Sequence, residues 1–307
     1  MEKRVLITGA TSYLAAALIK RMLSLETEVR IEAVVRPRSA NLEKIPRDSR
    51  VHLRELEMGE YPRLASLMPI GIQIWYHFAW EGVRGTARED EALQERNRLA
   101  AVACIDTAIA KGIPVFVGIG SQAEYGEISG KLKESLSPAP VTAYGRKKLK
   151  VCEYGRRSCE GTGTRFLWAR IFSVYGPGEH PGTLLMHAME CMQKGLPLKL
   201  SPCEHLWNYI YLEDAAEALY RLGNGRAEAG IYNLASKDTR PLKEFVLELQ
   251  EILSSESRLE FGAIPYSGNI PRGMHPDIEK IERALDWSPK YSFRQGILEL
   301  RRNWGEE

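Results

Sequence analysis

Val5-Leu6-Ile7-Thr8-Gly9-Ala10-Thr11-Ser12-Tyr13-Leu14-Ala15 runs from a short apolar stretch into an amphipathic one. Arg4 to Thr8 reads as a buried strand and Ser12 to Leu23 as a helix. Gly9 permits the tight turn between them, and Ala15 is small enough for close helix–strand packing. The start of such a helix presents unpaired N–H groups and the positive end of its dipole, a ready site for a pyrophosphate. Ser12 departs from the usual glycine-rich pattern, because a second glycine there would let the phosphate come closer.

Outward from this turn, apolar runs alternate with amphipathic ones. Strands are expected at 30–35, 51–56, 73–78, 113–119 and 164–172, with helices at 90–111 and 142–159. Strands alternating with helices at this spacing imply right-handed crossovers and a parallel sheet. The fold class is therefore α/β, a Rossmann-type doubly wound parallel sheet with a smaller C-terminal α/β cap. After Pro177 the rhythm loosens. Helices are expected at 184–194, 214–222, 242–253 and 277–285, and a strand at 230–234 returns to the sheet. The dinucleotide-binding domain is expected at 1–175 with returning segments near 207–236. The cap takes 176–206 and 237–307. No internal repeat or low-complexity segment interrupts the chain.

Composition narrows the function. The 307 residues are 44% hydrophobic and 27% charged, as in an ordered globular protein. Lys and Arg number 42 against 40 Asp and Glu, a net charge of +2, which argues against binding nucleic acid by bulk charge. No stretch approaches the roughly 20 apolar residues of a membrane span, and the N-terminus lacks a signal-peptide core. Cys104, Cys152, Cys159, Cys191 and Cys203 form no C-x-x-C pair and read as reduced thiols of a cytoplasmic protein.

Four further stretches carry chemistry. Where a dinucleotide site for NAD would place an acid after the second strand, the sequence has Arg36, Arg38 and Ser39. Two guanidiniums and a hydroxyl suit a 2′-phosphate, favouring NADP over NAD. Tyr144 and Lys148, four residues apart, share a helix face. A nearby ammonium stabilises phenolate, so the pair can move a proton at a substrate hydroxyl or carbonyl. Ser121 falls at the carboxyl edge of the fifth strand, the edge where open α/β sheets bind ligands. Trp80 and Arg84 follow the fourth strand at that same edge, either covering the cofactor or reaching the substrate. His77, between aromatic residues, reads as a core histidine. His180 and His187 have no metal-site spacing, and no metal is expected.

In these residues the chain resembles an extended short-chain dehydrogenase/reductase of the NAD(P)-dependent nucleotide-sugar epimerase/dehydratase family. The resemblance rests on Thr8 to Ala15, His77-Phe78-Ala79, Asn97, Gly120 to Gly126, Tyr144 with Lys148, Arg170 through Gly178, Tyr211 to Asp214 and Pro276 to Lys280, in that order. It implies that Tyr144 is the acid/base and that Lys148 binds the nicotinamide ribose. Ser121 would bond the reacting sugar oxygen. Gly9, Thr11, Ser12, Tyr13 and Leu14 would face the cofactor, with Phe78, Ala79 and Trp80 lining it. Phe172 would lie near the nicotinamide, Glu57 and Met58 beside the adenine, and Ser173 near the substrate. Asn97 would be structural.

Departures from the family pattern shape the expected reaction. The 4,6-dehydratases carry an Asp-Glu pair where this chain has Gln122 and Ala123, which disfavours dehydration, and Glu124 is expected to point elsewhere. Trp207 and Ser267 stand where relatives have arginines that grip the substrate diphosphate. His180, Arg272 and backbone N–H groups are the expected replacements, with Arg84 and Gln122 also at the substrate. The expected activity is NADPH-dependent reduction of a 4-keto nucleotide sugar. The alternative within the class is an NDP-sugar 4-epimerase with tightly held cofactor, and outside it a non-catalytic dinucleotide sensor or scaffold. Family resemblance implies a homodimer built from the helices at 90–111 and 142–159.

Overall fold

The computed structural model describes residues 2–128, 130–266 and 273–303. The first half contains β1 (Lys3–Thr8), α1 (Tyr13–Leu25), β2 (Val29–Val35), β3 (Val51–Glu55), α2 (Leu64–Leu67), β4 (Ile74–His77), α3 (Glu91–Ala110) and β5 (Val115–Ser121). There follow β6 (Lys131–Leu132), α4 (Ala143–Cys159), β7 (Arg165–Ile171), β8 (Ser173–Tyr175), α5 (Leu184–Gln193), β9 (Leu198–Leu200) and β10 (Leu206–Tyr211). The chain continues through α6 (Leu212–Asn224), β11 (Gly230–Leu234), β12 (Thr239–Pro241), α7 (Leu242–Leu253) and β13 (Leu259–Phe261). It finishes with β14 (His275–Pro276), α8 (Glu279–Leu285) and α9 (Phe293–Asn303).

Seven strands form one parallel sheet in the order β11-β7-β5-β4-β1-β2-β3. The expected strand at 230–234 is its edge. Chain direction across the sheet reverses between β1 and β4, the switch point where an open α/β sheet leaves a crevice at its carboxyl ends. Val5, Ile7, Ile31, Ala33, Val117 and Leu167 belong to a core shared with α1 and α6 on one face. Leu6, Trp75, Phe116 and Trp168 belong to a second core, shared with α3 and α4 on the other. Burial of both faces explains the near-continuous apolar runs of these strands.

A third apolar cluster lies in the second half. It joins Tyr175, Met189, Leu198, Tyr209, Phe245, Phe293, Ile297 and Leu300. Around it β8, β10 and β12 make a three-stranded sheet, and β9 pairs with β13. None of the short strands in this part, nor α9, was expected. The helix expected from Asp277 starts at Glu279 instead, because the Asp277 carboxylate turns to accept the Glu279 N–H at 3.0 Å. All five cysteines are free and buried. Among the described residues no helix is long and apolar enough to cross a membrane.

Candidate active site

The turn after β1 sets the site's geometry. Gly9 sits at φ +75°, and a Cβ there would lie 2.5 Å from Ala79 N, so only glycine lets the two backbones pass. The Gly9 and Ala10 N–H groups both donate to Val34 O, which closes the turn against β2. Ser12 is the N-cap of α1. Its Oγ accepts the Ala15 N–H at 3.1 Å and caps its own helix, which leaves its O–H as a donor. The N–H groups of Tyr13 and Leu14 have no intrahelical acceptor, as at any helix start. This turn fits a dinucleotide pyrophosphate through its backbone. The Tyr13 hydroxyl donates to Val174 O at 3.0 Å and ties the turn to β8.

At the carboxyl edge around it, Phe78 and Ala79 are buried beside Gly9, and the Phe78 N–H donates to Thr8 O. Arg36 and Arg38 are exposed after β2, with Arg38 in the left-handed region at φ 55°. Arg36 Nη1 lies 2.9 Å from a carboxylate oxygen of Glu81, a partner the sequence did not suggest. Ser39 Oγ accepts the Asn41 N–H at 3.4 Å. Glu57 and Met58 follow β3, with Glu57 exposed.

Ser121, Tyr144 and Lys148 lie near one another, from the end of β5 and the first half of α4. Thr142 caps α4 by accepting the Gly145 N–H at 3.0 Å, which fixes where Tyr144 begins the helix. Tyr144 is buried. Burial pushes its phenol above the ordinary range, while the facing Ser121 hydroxyl and the Arg88 charge pull it down. Arg88 lies 5.0 Å over the Tyr144 ring. Lys148 is buried as well. Its ammonium donates to Ile119 O at 2.6 Å, lies 3.8 Å from the Trp80 ring centre and sits 5.9 Å from the Tyr144 ring centre. Burial depresses Lys148 itself to about 7, against a smaller upward pull from Glu124.

A buried ion pair supports this site from below. Glu124, fully buried, accepts from Ser121 N at 2.8 Å, Trp168 Nε1 at 2.9 Å and Arg170 Nε at 2.8 Å. Glu124 thus points away from the cleft, as expected, and anchors the Ser121 backbone. Trp80 is held edge-on to Tyr144 by its indole N–H, which donates to Gln94 Oε1 at 2.7 Å. Asn97 has the structural role foreseen for it. Its amide accepts from Glu81 N and donates to Glu81 O, at 3.0 and 2.9 Å.

The substrate side is assembled less completely. Phe172 is buried and Ser173 half-buried where β7 passes into β8. Gln122 is half-buried, with its Oε1 unpaired. Arg84 is exposed but close enough to act electrostatically on both Tyr13 and Glu179. Glu179 is the acid the sequence reading missed, and burial raises it to about 7. His180 is exposed, and its Nδ1 accepts the Gly182 N–H at 2.9 Å, so its ring is used in its own turn. Trp207 packs between His205 and Tyr209, an aromatic row where a cation had been the family pattern. Arg272 and Ser267 lie outside the described residues. His77 is the core histidine expected, bonded to Thr8 Oγ1 at 2.8 Å and lowered by burial to about 3. Among the described residues no cluster of three or more His, Cys, Asp or Glu could hold a metal.

A parallel sheet with its crevice at the β1/β4 switch point, a glycine turn into a helix, and a Ser-Tyr-Lys group at the same edge together define a dinucleotide-dependent enzyme of the extended short-chain dehydrogenase/reductase class. The chain belongs to the NAD dependent epimerase/dehydratase family, whose model matches residues 5–235. A dTDP-6-deoxy-L-talose 4-dehydrogenase (NAD(P)(+)) from Kitasatospora kifunensis is 25% identical over 97% of this chain and 94% of its own length. The fold matches a UDP-glucose 4-epimerase from Thermotoga maritima, with TM-score 0.88, 18% identity and 99% of both chains covered. It also matches a UDP-glucuronic acid 4-epimerase from Bacillus cereus, solved with UDP-glucuronic acid and NAD. There the TM-score is 0.86 and the identity 20%, over 97% of this chain and 98% of the other.

Proposed function

We propose that this enzyme acts at C4 of a nucleotide-activated sugar, reducing a 4-keto group with NADPH through Ser121, Tyr144 and Lys148. The observation that carries this reading is the convergence of those three side chains at the carboxyl edge beside the Gly9 turn. The turn's backbone and the start of α1 hold the pyrophosphate. Phe78, Ala79 and Phe172 line the dinucleotide, with Glu57 and Met58 at its adenine end. A bound nicotinamide supplies or takes up a hydride. Ser121 hydrogen-bonds the sugar oxygen, and Tyr144 delivers or removes that oxygen's proton. Burial brings the Lys148 ammonium down to about 7, and it sits within about one helical turn of Tyr144. Phe172, buried, and Trp80, half-buried, shield the proton transfer from water.

Substrate grip falls to the second half of the chain, to the lobe of residues 176–206 and 237–307. Arg84, Gln122 and Ser173 approach it from the sheet edge. The relative from Kitasatospora supports a 4-position oxidoreduction, and the family supports a nicotinamide dinucleotide. A homodimer through α3 and α4 is part of the proposal. The exposed Leu99 on α3 supports it, and light scattering tests it.

A second reading, a 4-epimerase, uses the same three groups. The Glu81 carboxylate beside Arg36 favours it, since an acid at that edge suits NAD. Denaturing the purified protein and identifying released nucleotide by mass separates the two. Free protein that binds NADPH and consumes it with an NDP-4-keto sugar supports the reductase. Stoichiometric NAD that co-purifies, with interconversion of C4 epimers and no net cofactor use, supports the epimerase.

A further inference from the structure

We propose that Glu81 sets cofactor choice, by competing with a ribose 2′-phosphate for Arg36 and so holding the enzyme open to NAD(H) as well as NADP(H). The proposal rests on the reading that this edge binds a nicotinamide dinucleotide. Arg36 follows β2 and Glu81 follows β4, and β1 lies between those strands. Their ion pair, at 2.9 Å, therefore bridges the segments after β2 and β4, the two strands that flank β1. A 2′-phosphate that reaches Arg36 must therefore displace the Glu81 carboxylate from it.

The carboxylate's position is built rather than incidental. Both main-chain polar groups of Glu81 are bonded to the Asn97 amide. The neighbouring Gly82 and Ala87 carbonyls are both held by Gln94 Nε2, at 2.9 Å each. Asn97 and Gln94 are themselves buried, so this loop is pinned to α3 and presents the Glu81 carboxylate from a fixed backbone. Arg36, Glu81 and Glu57 all act on the buried Tyr61 hydroxyl, which gathers them in one neighbourhood. The charges after β2 are thus not a purely cationic pocket. A carboxylate accepts a ribose hydroxyl well and repels a phosphate dianion, and a guanidinium does the reverse.

The test is a set of nicotinamide-fluorescence titrations of NADH and NADPH. They compare the natural protein with Glu81→Gln, Arg36→Gln and the double variant, with folding checked by circular dichroism. Glu81→Gln is expected to tighten NADPH about 3- to 10-fold and leave NADH equal or weaker, the scale of one exposed charge near a dianion. Arg36→Gln is expected to weaken NADPH selectively, and in its presence the Glu81→Gln gain should shrink. An unchanged NADPH-to-NADH ratio in Glu81→Gln, with both cofactors still binding, overturns the inference and leaves the enzyme assignment standing. No binding of either cofactor by the folded natural protein overturns both.

Discussion

Replacing Lys148 by Met should make the protein more stable at pH 6 while destroying its activity. Lys148 is 3% exposed, and burial lowers its ammonium from 10.5 to about 7. At 1.36 kcal/mol per unit, holding the charged form in this site costs up to about 5 kcal/mol. Methionine has a similar stem and no charge. Against that gain stands the Ile119 carbonyl, left without its donor at a cost of about 1–3 kcal/mol, and the lost contact with the Trp80 face. A net gain of about 2 kcal/mol remains. With an unfolding entropy of about 2.1 cal/mol/K per residue over 307 residues, that is about 3 °C in Tm. The pH dependence identifies the cause. Below about pH 7 folded and unfolded chains both carry the proton, and the penalty is fully present. Between about 7 and 10.5 the unfolded chain binds more protons, so the natural protein's stability rises with pH and its deficit against the variant fades. Calorimetry of both proteins at pH 6 and pH 9.5 measures this. A variant less stable than the natural protein at pH 6, or a difference in Tm that does not change with pH, would refute the reasoning.

Other outcomes follow from single contacts. Arg170→Met leaves the Glu124 carboxylate fully buried beside a lost cation, and should cost about 3–5 kcal/mol, read as a fall of several degrees in Tm. Adding Glu124→Val to it should recover part of the loss. Gly9→Ala places a methyl 2.5 Å from Ala79 N at a positive φ, so dinucleotide binding in fluorescence titration should fall by at least about tenfold. Glu179, raised by burial to about 7, is deprotonated in the unfolded chain from about pH 4.5 upward. Its cost therefore grows from pH 4.5 to 7 and is full above pH 7, so Glu179→Gln should raise Tm at pH 8 and leave it unchanged at pH 4.5.

How much of this was legible in the sequence depended on the kind of contact. Strands buried on both faces announce themselves as apolar runs, which is why β1, β2, β4, β5 and β7 could be placed from residues such as Val5-Leu6-Ile7 alone. Strands of three residues, such as Leu198–Leu200 and Thr239–Pro241, are too short to show a period of two, and their pairing is settled by tertiary packing. In α9 the buried Phe293, Ile297 and Leu300 do have helical spacing, but they are diluted by arginines.

Within the site, a four-residue separation put Tyr144 and Lys148 on one face. It could not say that a long side chain would end on the Ile119 carbonyl and the Trp80 ring. Arg88 and Glu81 were invisible for a related reason. They act on Tyr144 and Arg36 from loops whose course is set by Gln94 and Asn97, side chains on a different element. The Ser12 cap on α1 is a local contact of the kind that a short hydroxyl before a helix favours.

The most direct measurement is the conversion of nucleotide sugars and their 4-keto forms, followed at C4 by NMR with NADPH or NAD present, for the natural protein and for Tyr144→Phe. The expected result is conversion by the natural protein and a loss of at least about 100-fold in the variant, with dinucleotide binding retained. Conversion by Tyr144→Phe at the natural rate would contradict the assignment of Tyr144 as the group that moves the proton.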